Sequence, residues 1–238
     1  MLKKYLSAAF ILFALTVVSY GDDYNSVISN IRTQNGEKTI YLTLDLCGGP
    51  KGSGLDIKIV DFLTANKIEA TFFVSGIWMS KNPANFLLLA GNHLFKIENH
   101  GLNHKPASLS GAKIYGIKGT ASKKELLEEI LANEFKIAAL TGKRPAWYRS
   151  GAAYYDAGAL KIIGTELKLR IAGFAVSADE GATLTADGVY ENMLKAQPGF
   201  IMLAHANRPE SDTAEGLKRA VTELLKKGYV FRKLPDKI

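Results

Sequence analysis

Seven short strand-like runs alternate with stretches of helical periodicity along this chain of 238 residues, and no other feature restricts the fold as much. The candidate strands are 39–45, 70–75, 94–99, 145–149, 169–176, 200–205 and 229–232. The helical stretches are 55–66, 82–91, 123–141, 157–168, 186–197 and 211–227. Strands separated by helices pair as parallel neighbours, so the pattern predicts an α/β protein. Runs such as Ala70-Thr71-Phe72-Phe73-Val74 are apolar on both faces, as a sheet covered by helices requires. The clearest helix opens at Ser122, with Glu125 three residues on as a capping box, and Gly142 follows its end. Leu126, Leu127, Ile130, Leu131 and Phe135 are expected to form its one apolar face. A closed barrel and an open doubly wound sheet both fit. No repeat or linker divides the chain, and 105–121 is its one long irregular connection, a length that often marks function.

The first 21 residues read as an export signal, with basic Lys3 and Lys4, an apolar run from Leu6 to Val18, and small residues before Asp22. That run is short for a membrane span, so the expectation is cleavage, a product in the periplasm or outside the cell, and no stable membrane anchor. A polar lead-in over 22–38 then precedes a domain over 39–238. Cleavage would lower the formal charge from +7 to +5. The basic residues are scattered, which argues against a nucleic-acid partner. A single cysteine, Cys47, excludes an intrachain disulfide. Nothing in the sequence speaks to oligomeric state.

The chemistry-bearing residues gather where strands end, which is where parallel α/β proteins place their sites. Asp45 closes the first run. His100 and His104, in Asn-His-Gly-Leu-Asn-His, follow the third, and Arg149 closes the fourth. Asp179 follows the fifth and His205 closes the sixth. Two histidines four apart are by themselves more often unrelated surface groups, and a lone strand-end carboxylate is often a cap. Jointly these positions read as a metal-dependent hydrolase, with two imidazoles available to one cation. The glutamate of the metalloprotease His-Glu-x-x-His is missing, Ser150 lacks the Gly-x-Ser-x-Gly setting, and the glycines after Asp45 lack phosphate-loop order. His93, at the opposite end of its strand, reads as structural. Of the aromatics near the site, Tyr154 and Tyr155 are the candidates for stacking on substrate, and Trp78 and Trp147 read as core.

These residues resemble five ordered motifs of the polysaccharide deacetylase family, the NodB-homology carbohydrate esterases. Thr43-Leu44-Asp45 is similar to the family's opening Thr-Phe-Asp-Asp, and His100 to His104 to its His-x-x-x-His. Tyr148-Arg149, Ser177-Ala178-Asp179 and Leu203-Ala204-His205 resemble the remaining three. The resemblance implies a distorted (β/α) barrel of about seven parallel strands. It also implies removal of N-acetyl groups from N-acetylglucosamine-type polysaccharide, peptidoglycan or chitin-like. His100 and His104 would hold a divalent metal, commonly zinc. Asp45 would be the general base, Arg149 its orienting partner, His205 the general acid and Asp179 the group that tunes it. A backbone N–H near Tyr154 would help to hold the oxyanion.

Two departures stand out. Leu46 occupies the place of the family's second aspartate, the usual third protein ligand, and Glu180 that of a tryptophan in the fourth motif. Either Asp45 joins His100 and His104 in the metal shell, or Asp179 or Glu180 completes it. A branch of the family opening Thr-Leu-Asp-x-Cys-Gly-Gly matches this chain, which favours a shifted ligand set. The alternatives are a non-catalytic glycan-binding barrel that has lost its third ligand, and a deacylase for another amide or ester.

Overall fold

Every strand pairing in the main sheet is parallel in the computed structural model, which describes residues 26–33, 36–50 and 52–238. In chain order the strands are β1 (Val27–Ile28), β2 (Thr39–Leu46), β3 (Ala70–Val74), β4 (Phe95–Asn99), β5 (Lys113–Ile114), β6 (Ile117–Lys118), β7 (Trp147–Tyr148), β8 (Arg170–Ala172), β9 (Val176–Ser177), β10 (Ile201–His205) and β11 (Val230–Phe231). The helices are α1 (Ile57–Ala65), α2 (Gly76–Lys81), α3 (Pro83–Gly91), α4 (Lys123–Thr141), α5 (Ala157–Lys161), α6 (Ala186–Met193) and α7 (Thr213–Lys226). The sheet runs β1-β8-β7-β4-β3-β2-β10-β9, with β11 paired to the start of β2. It curls into the distorted barrel that the family resemblance implies, with β5 and β6 forming a separate hairpin.

Residues just after β1 complete the ring. The Ile201 N–H donates to Ser29 O at 2.9 Å, and the Ile31 N–H to Gly199 O at 2.8 Å. The segment expected as a polar lead-in thus bridges β8 to β10. The proposed export signal, 1–21, lies outside the described residues, among which no helix is long and apolar enough to cross a membrane.

Strand pleat then sorts side chains by parity. Ile40, Leu42, Leu44 and Leu46 of β2 pack outward under the helices, in one large cluster with Phe72, Val74, Met202 and Ala204. The other parity points inward. Phe73, Trp147, Ala172 and Ile201 fill the barrel, and Leu234 from the C-terminal segment closes its base. Its N–H donates to Thr71 Oγ1 at 2.9 Å, and Trp147 Nε1 donates to Pro235 O at 2.8 Å. The same inward rows end at the opposite mouth on Asp45, Arg149 and His205, so barrel parity delivers the polar groups together.

Besides the sheet pairing of the lead-in and the β5–β6 hairpin within 105–121, four features differ from the sequence reading. Helix α2 was not anticipated, because six residues opening on Gly76 carry too little periodicity to register. The run 169–176 splits into β8 and β9 around Gly173, whose added Cβ would lie 2.6 Å from Val27 Cγ1. The helix expected over 157–168 becomes α5 followed by a π-helical turn, Ile162–Glu166. On α4 the buried stripe is Leu126, Glu129, Ile130, Asn133, Glu134 and Ile137, whereas Phe135 is 62% exposed. Polar residues face inward there because each has a partner: Glu129 accepts from the backbone of the histidine loop, Asn133 donates to Val74 O and Asn99 Oδ1, and Glu134 pairs with Arg144, demands that apolar periodicity does not register.

Candidate active site

Asp45 and His205 are register partners on β2 and β10, so the two ends meet side by side. Arg149, just past β7, is fully buried and crosses beneath them. Its Nη1 donates to Asp45 Oδ1 at 2.7 Å and Thr43 Oγ1 at 2.9 Å, and its Nη2 to Gly173 O at 2.8 Å. The Phe73 ring lies 4.3 Å from the guanidinium carbon. Burial pushes the Asp45 carboxyl upward, but Arg149, then His100 and His205, pull it down further and leave it below the usual carboxylate range. Asp45 is therefore an anion at neutral pH.

His205 is held from behind by Asp179. The His205 backbone N–H donates to Asp179 Oδ2 at 2.7 Å and its Nδ1–H to Oδ1 at 2.8 Å. Thr213, opening α7, donates to Oδ2 at 3.1 Å. Burial disfavours the imidazolium, yet the Asp179 charge and hydrogen bond outweigh it and raise His205 well above an ordinary histidine. The bond at Nδ1 leaves Nε2 facing the site.

The two histidines of the third motif converge. Their ring centres lie 4.6 Å apart at 72°. His100 Nδ1 donates to Arg149 O at 2.8 Å, which fixes the tautomer and leaves Nε2 3.4 Å from Asp45 Oδ2 and 3.7 Å from Cys47 Sγ. Burial lowers His100, and Asp45 and Cys47 more than offset it. The loop between them is held by Glu129 of α4, whose Oε1 accepts the Asn103 N–H at 2.8 Å and the Lys105 N–H at 3.1 Å. Those bonds flank His104, whose φ of 58° lies in the left-handed region. Gly101, at φ 77°, has Glu129 Oε1 only 2.5 Å from where a Cβ would stand.

One Cys47 sulfur and one nitrogen from each of His100 and His104 lie within 4.8 Å of one another. Among the described residues this is the one such group of three potential donors. Burial raises the Cys47 thiol, and the surrounding His104, His100 and His205 bring it well below its usual value. Three electron-rich donors converging on one gap, one with its lone pair fixed by the bond of His100 Nδ1 to the Arg149 carbonyl, fit a divalent metal.

Asp45, assigned by sequence both to the base position and to the metal shell, touches His100 but stands outside that trio. Of the other carboxylates offered as a third ligand, Asp179 has both oxygens engaged by His205 and Thr213, and Glu180 is exposed. Tyr155 has its hydroxyl engaged, accepting the Ser150 N–H at 3.0 Å, and packs edge-on against Tyr148. Tyr154 is half-buried, and its N–H makes a long 3.4 Å bond to Gly151 O. Sequence reasoning passed over Cys47, Thr213 and Glu129. Only Cys47 carried a signal: two residues past Asp45, strand parity returns it to the same face.

The polysaccharide deacetylase family profile matches residues 32–169. A peptidoglycan-N-acetylmuramic acid deacetylase of Bacillus subtilis (strain 168) is 27% identical over 209 residues, covering 84% of this chain and 71% of its own. A peptidoglycan-N-acetylglucosamine deacetylase of Bacillus cereus is 28% identical over 203 residues, covering 83% and 86%. A Bacillus anthracis pseudoenzyme of carbohydrate esterase family 4 superposes with TM-score 0.68 at 20% identity, over 84% of this chain and 64% of that one, a likeness of fold alone. The fold and its strand-end site define an α/β-barrel hydrolase scaffold. The chain belongs to the polysaccharide deacetylase family.

Proposed function

We propose that this protein is an exported, metal-dependent deacetylase that removes N-acetyl groups from N-acetylglucosamine-type cell-wall polysaccharide. The observation that carries the reading is the pairing of opposite proton inventories across one gap. Asp45 is held anionic by Arg149, and His205 is held cationic by Asp179. His100 and His104 lie at the same mouth. The two bacterial relatives named for peptidoglycan deacetylation support the substrate class.

His100 and His104 would hold a divalent cation, which would supply Lewis-acid polarisation of the amide carbonyl and a more acidic attacking water. Asp45 accepts the proton of that water, its other oxygen fixed by Arg149 so that the free lone pairs face the substrate. His205 holds a proton on Nε2 and delivers it to the departing amine, which cannot leave as an anion. Asp179 keeps the ring oriented and stabilises its charge. Thr43 and Phe73 keep the buried Arg149 in place. Tyr154, half-buried and with its hydroxyl not claimed by Ser150 as that of Tyr155 is, is the ring offered to a sugar, and its N–H, held only by a long 3.4 Å bond to Gly151 O, is the backbone donor offered to the oxyanion.

A glycan-binding barrel without activity is favoured by Leu46 in the aspartate's place, whereas the intact Asp45–Arg149 and His205–Asp179 pairs speak for catalysis. Incubation with peptidoglycan fragments, acetylated chitooligosaccharides and acetylated xylan, with acetate measured in each, separates the readings. Acetate from an N-acetylated glycan supports the proposal. Release from xylan alone would make the protein an esterase, and binding without acetate would make it a lectin-like barrel.

A further inference from the structure

We infer that Cys47 is the third protein ligand of the metal, so that this chain binds its ion through one thiolate and two imidazoles in place of the aspartate that Leu46 displaces. The inference rests on the metal-dependent reading above and concerns which atoms form the site.

Strand geometry is the first argument. Leu46 is fully buried and points outward into the cluster beneath the helices. Leu46 therefore contributes nothing to the barrel mouth. Cys47 follows at the parity of Asp45, and its backbone is pinned where β2 ends, with Ser75 Oγ donating to Cys47 O at 2.7 Å. The sulfur comes to 3.7 Å from His100 Nε2, the nitrogen whose lone pair the Arg149 carbonyl leaves free.

Elimination is the second. Asp179 is engaged by His205 and Thr213, and Glu129 by the backbone of the histidine loop, while Asp45 has Oδ1 held by Arg149 and its Oδ2, 3.4 Å from His100 Nε2, stands outside the converging trio. A thiolate carries the same charge as the aspartate it replaces, so the electrostatic balance of the site is kept. Its softness changes which cation is preferred, towards zinc and cobalt(II) and away from magnesium, calcium and manganese. It also leaves Asp45 free of the ion and available to its base role.

The test uses the full-length mature protein, stripped of metal and titrated with cobalt(II). Binding of one cobalt per chain with a thiolate-to-cobalt charge-transfer band in the near ultraviolet is expected. Cys47→Ser should lose the band and weaken binding by more than about 100-fold, beyond the loss typical of an outer-shell partner. Cys47→Asp should lose the band and retain stoichiometric binding, which shows that the fold and both histidines survive. Stoichiometric cobalt without the band, or Cys47→Ser binding as tightly as the wild type, overturns the assignment, as does a protein that binds no cobalt. A band with no acetate release from any glycan would keep the ligand and remove the deacetylase reading. Acetate release without the band would do the reverse.

Discussion

Replacing Asp45 with asparagine separates chemistry from architecture within one variant. Asparagine keeps the shape and an acceptor for Arg149 Nη1 but removes the anion. Arg149 is fully buried and keeps only the neutral acceptors Thr43, Ala172 and Gly173. Breaking a buried ion pair costs about 3–5 kcal/mol when one partner is deleted, and the retained acceptor places Asp45→Asn at the lower end, about 3 kcal/mol. With a urea dependence of about 3 kcal/mol per molar for a domain this large, the unfolding midpoint should fall by about 1 M while the transition stays cooperative. Loss of a general base removes about 10²- to 10⁴-fold in rate, about 3–5 kcal/mol in the barrier. Urea unfolding and acetate release, measured below the shifted midpoint, read the two effects independently. Activity within tenfold of the wild type would refute the base assignment. A midpoint moved by less than about 0.3 M would refute the claim that Asp45 balances the buried Arg149.

Other consequences follow from the same contacts. Asp179→Asn removes the charge that raises His205, so the alkaline limb of the pH–rate profile should move to lower pH; an unmoved limb would dissociate Asp179 from the acid. Glu129→Gln keeps the shape but presents one oxygen instead of two to the histidine loop, and should weaken metal binding by about tenfold with circular dichroism unchanged; unaltered metal affinity would reduce Glu129 to a packing role. At the barrel base, burial raises Glu98 to about 6 although Lys96 and the Trp147 and Ala146 N–H groups oppose it. Its folded value exceeds its unfolded one, so its contribution is fully present below pH 4.5 and lost as pH rises through about 6. Relative to the wild type, Glu98→Gln should therefore gain about 2 kcal/mol between pH 4 and pH 8 in urea unfolding; a pH-independent difference would mean that Glu98 is not desolvated.

Much of this architecture was legible before any coordinates. The strands of the barrel wall announce themselves because helices cover them on one side and a packed interior on the other. Positions of Asp45, His100, Arg149 and His205 follow, since strand ends in parallel barrels share one mouth. What escaped depends on contacts remote in sequence. Val27 and Ile28 become a strand only because β8 and β10 leave a gap to fill. Gly173 divides an apparently continuous strand because Val27 presses against it. Glu129, on the polar inner face of α4, serves a loop 24–26 residues earlier, as its bonds to Asn103 and Lys105 record. Cys47 lies between these cases. The pleat places it beside Asp45, but nothing in the sequence pattern marks a thiol as the stand-in for the aspartate missing at Leu46.

The central claim is hydrolysis that depends on one ion held at this mouth. Acetate release from N-acetylated glycan, followed while metal-free protein is titrated with zinc, addresses it most directly. Activity rising linearly to a plateau at one zinc per chain, with one free amine formed per acetate, is the predicted result. Full activity before any zinc is added, or one tightly bound zinc with no acetate from any N-acetylated glycan, would contradict it.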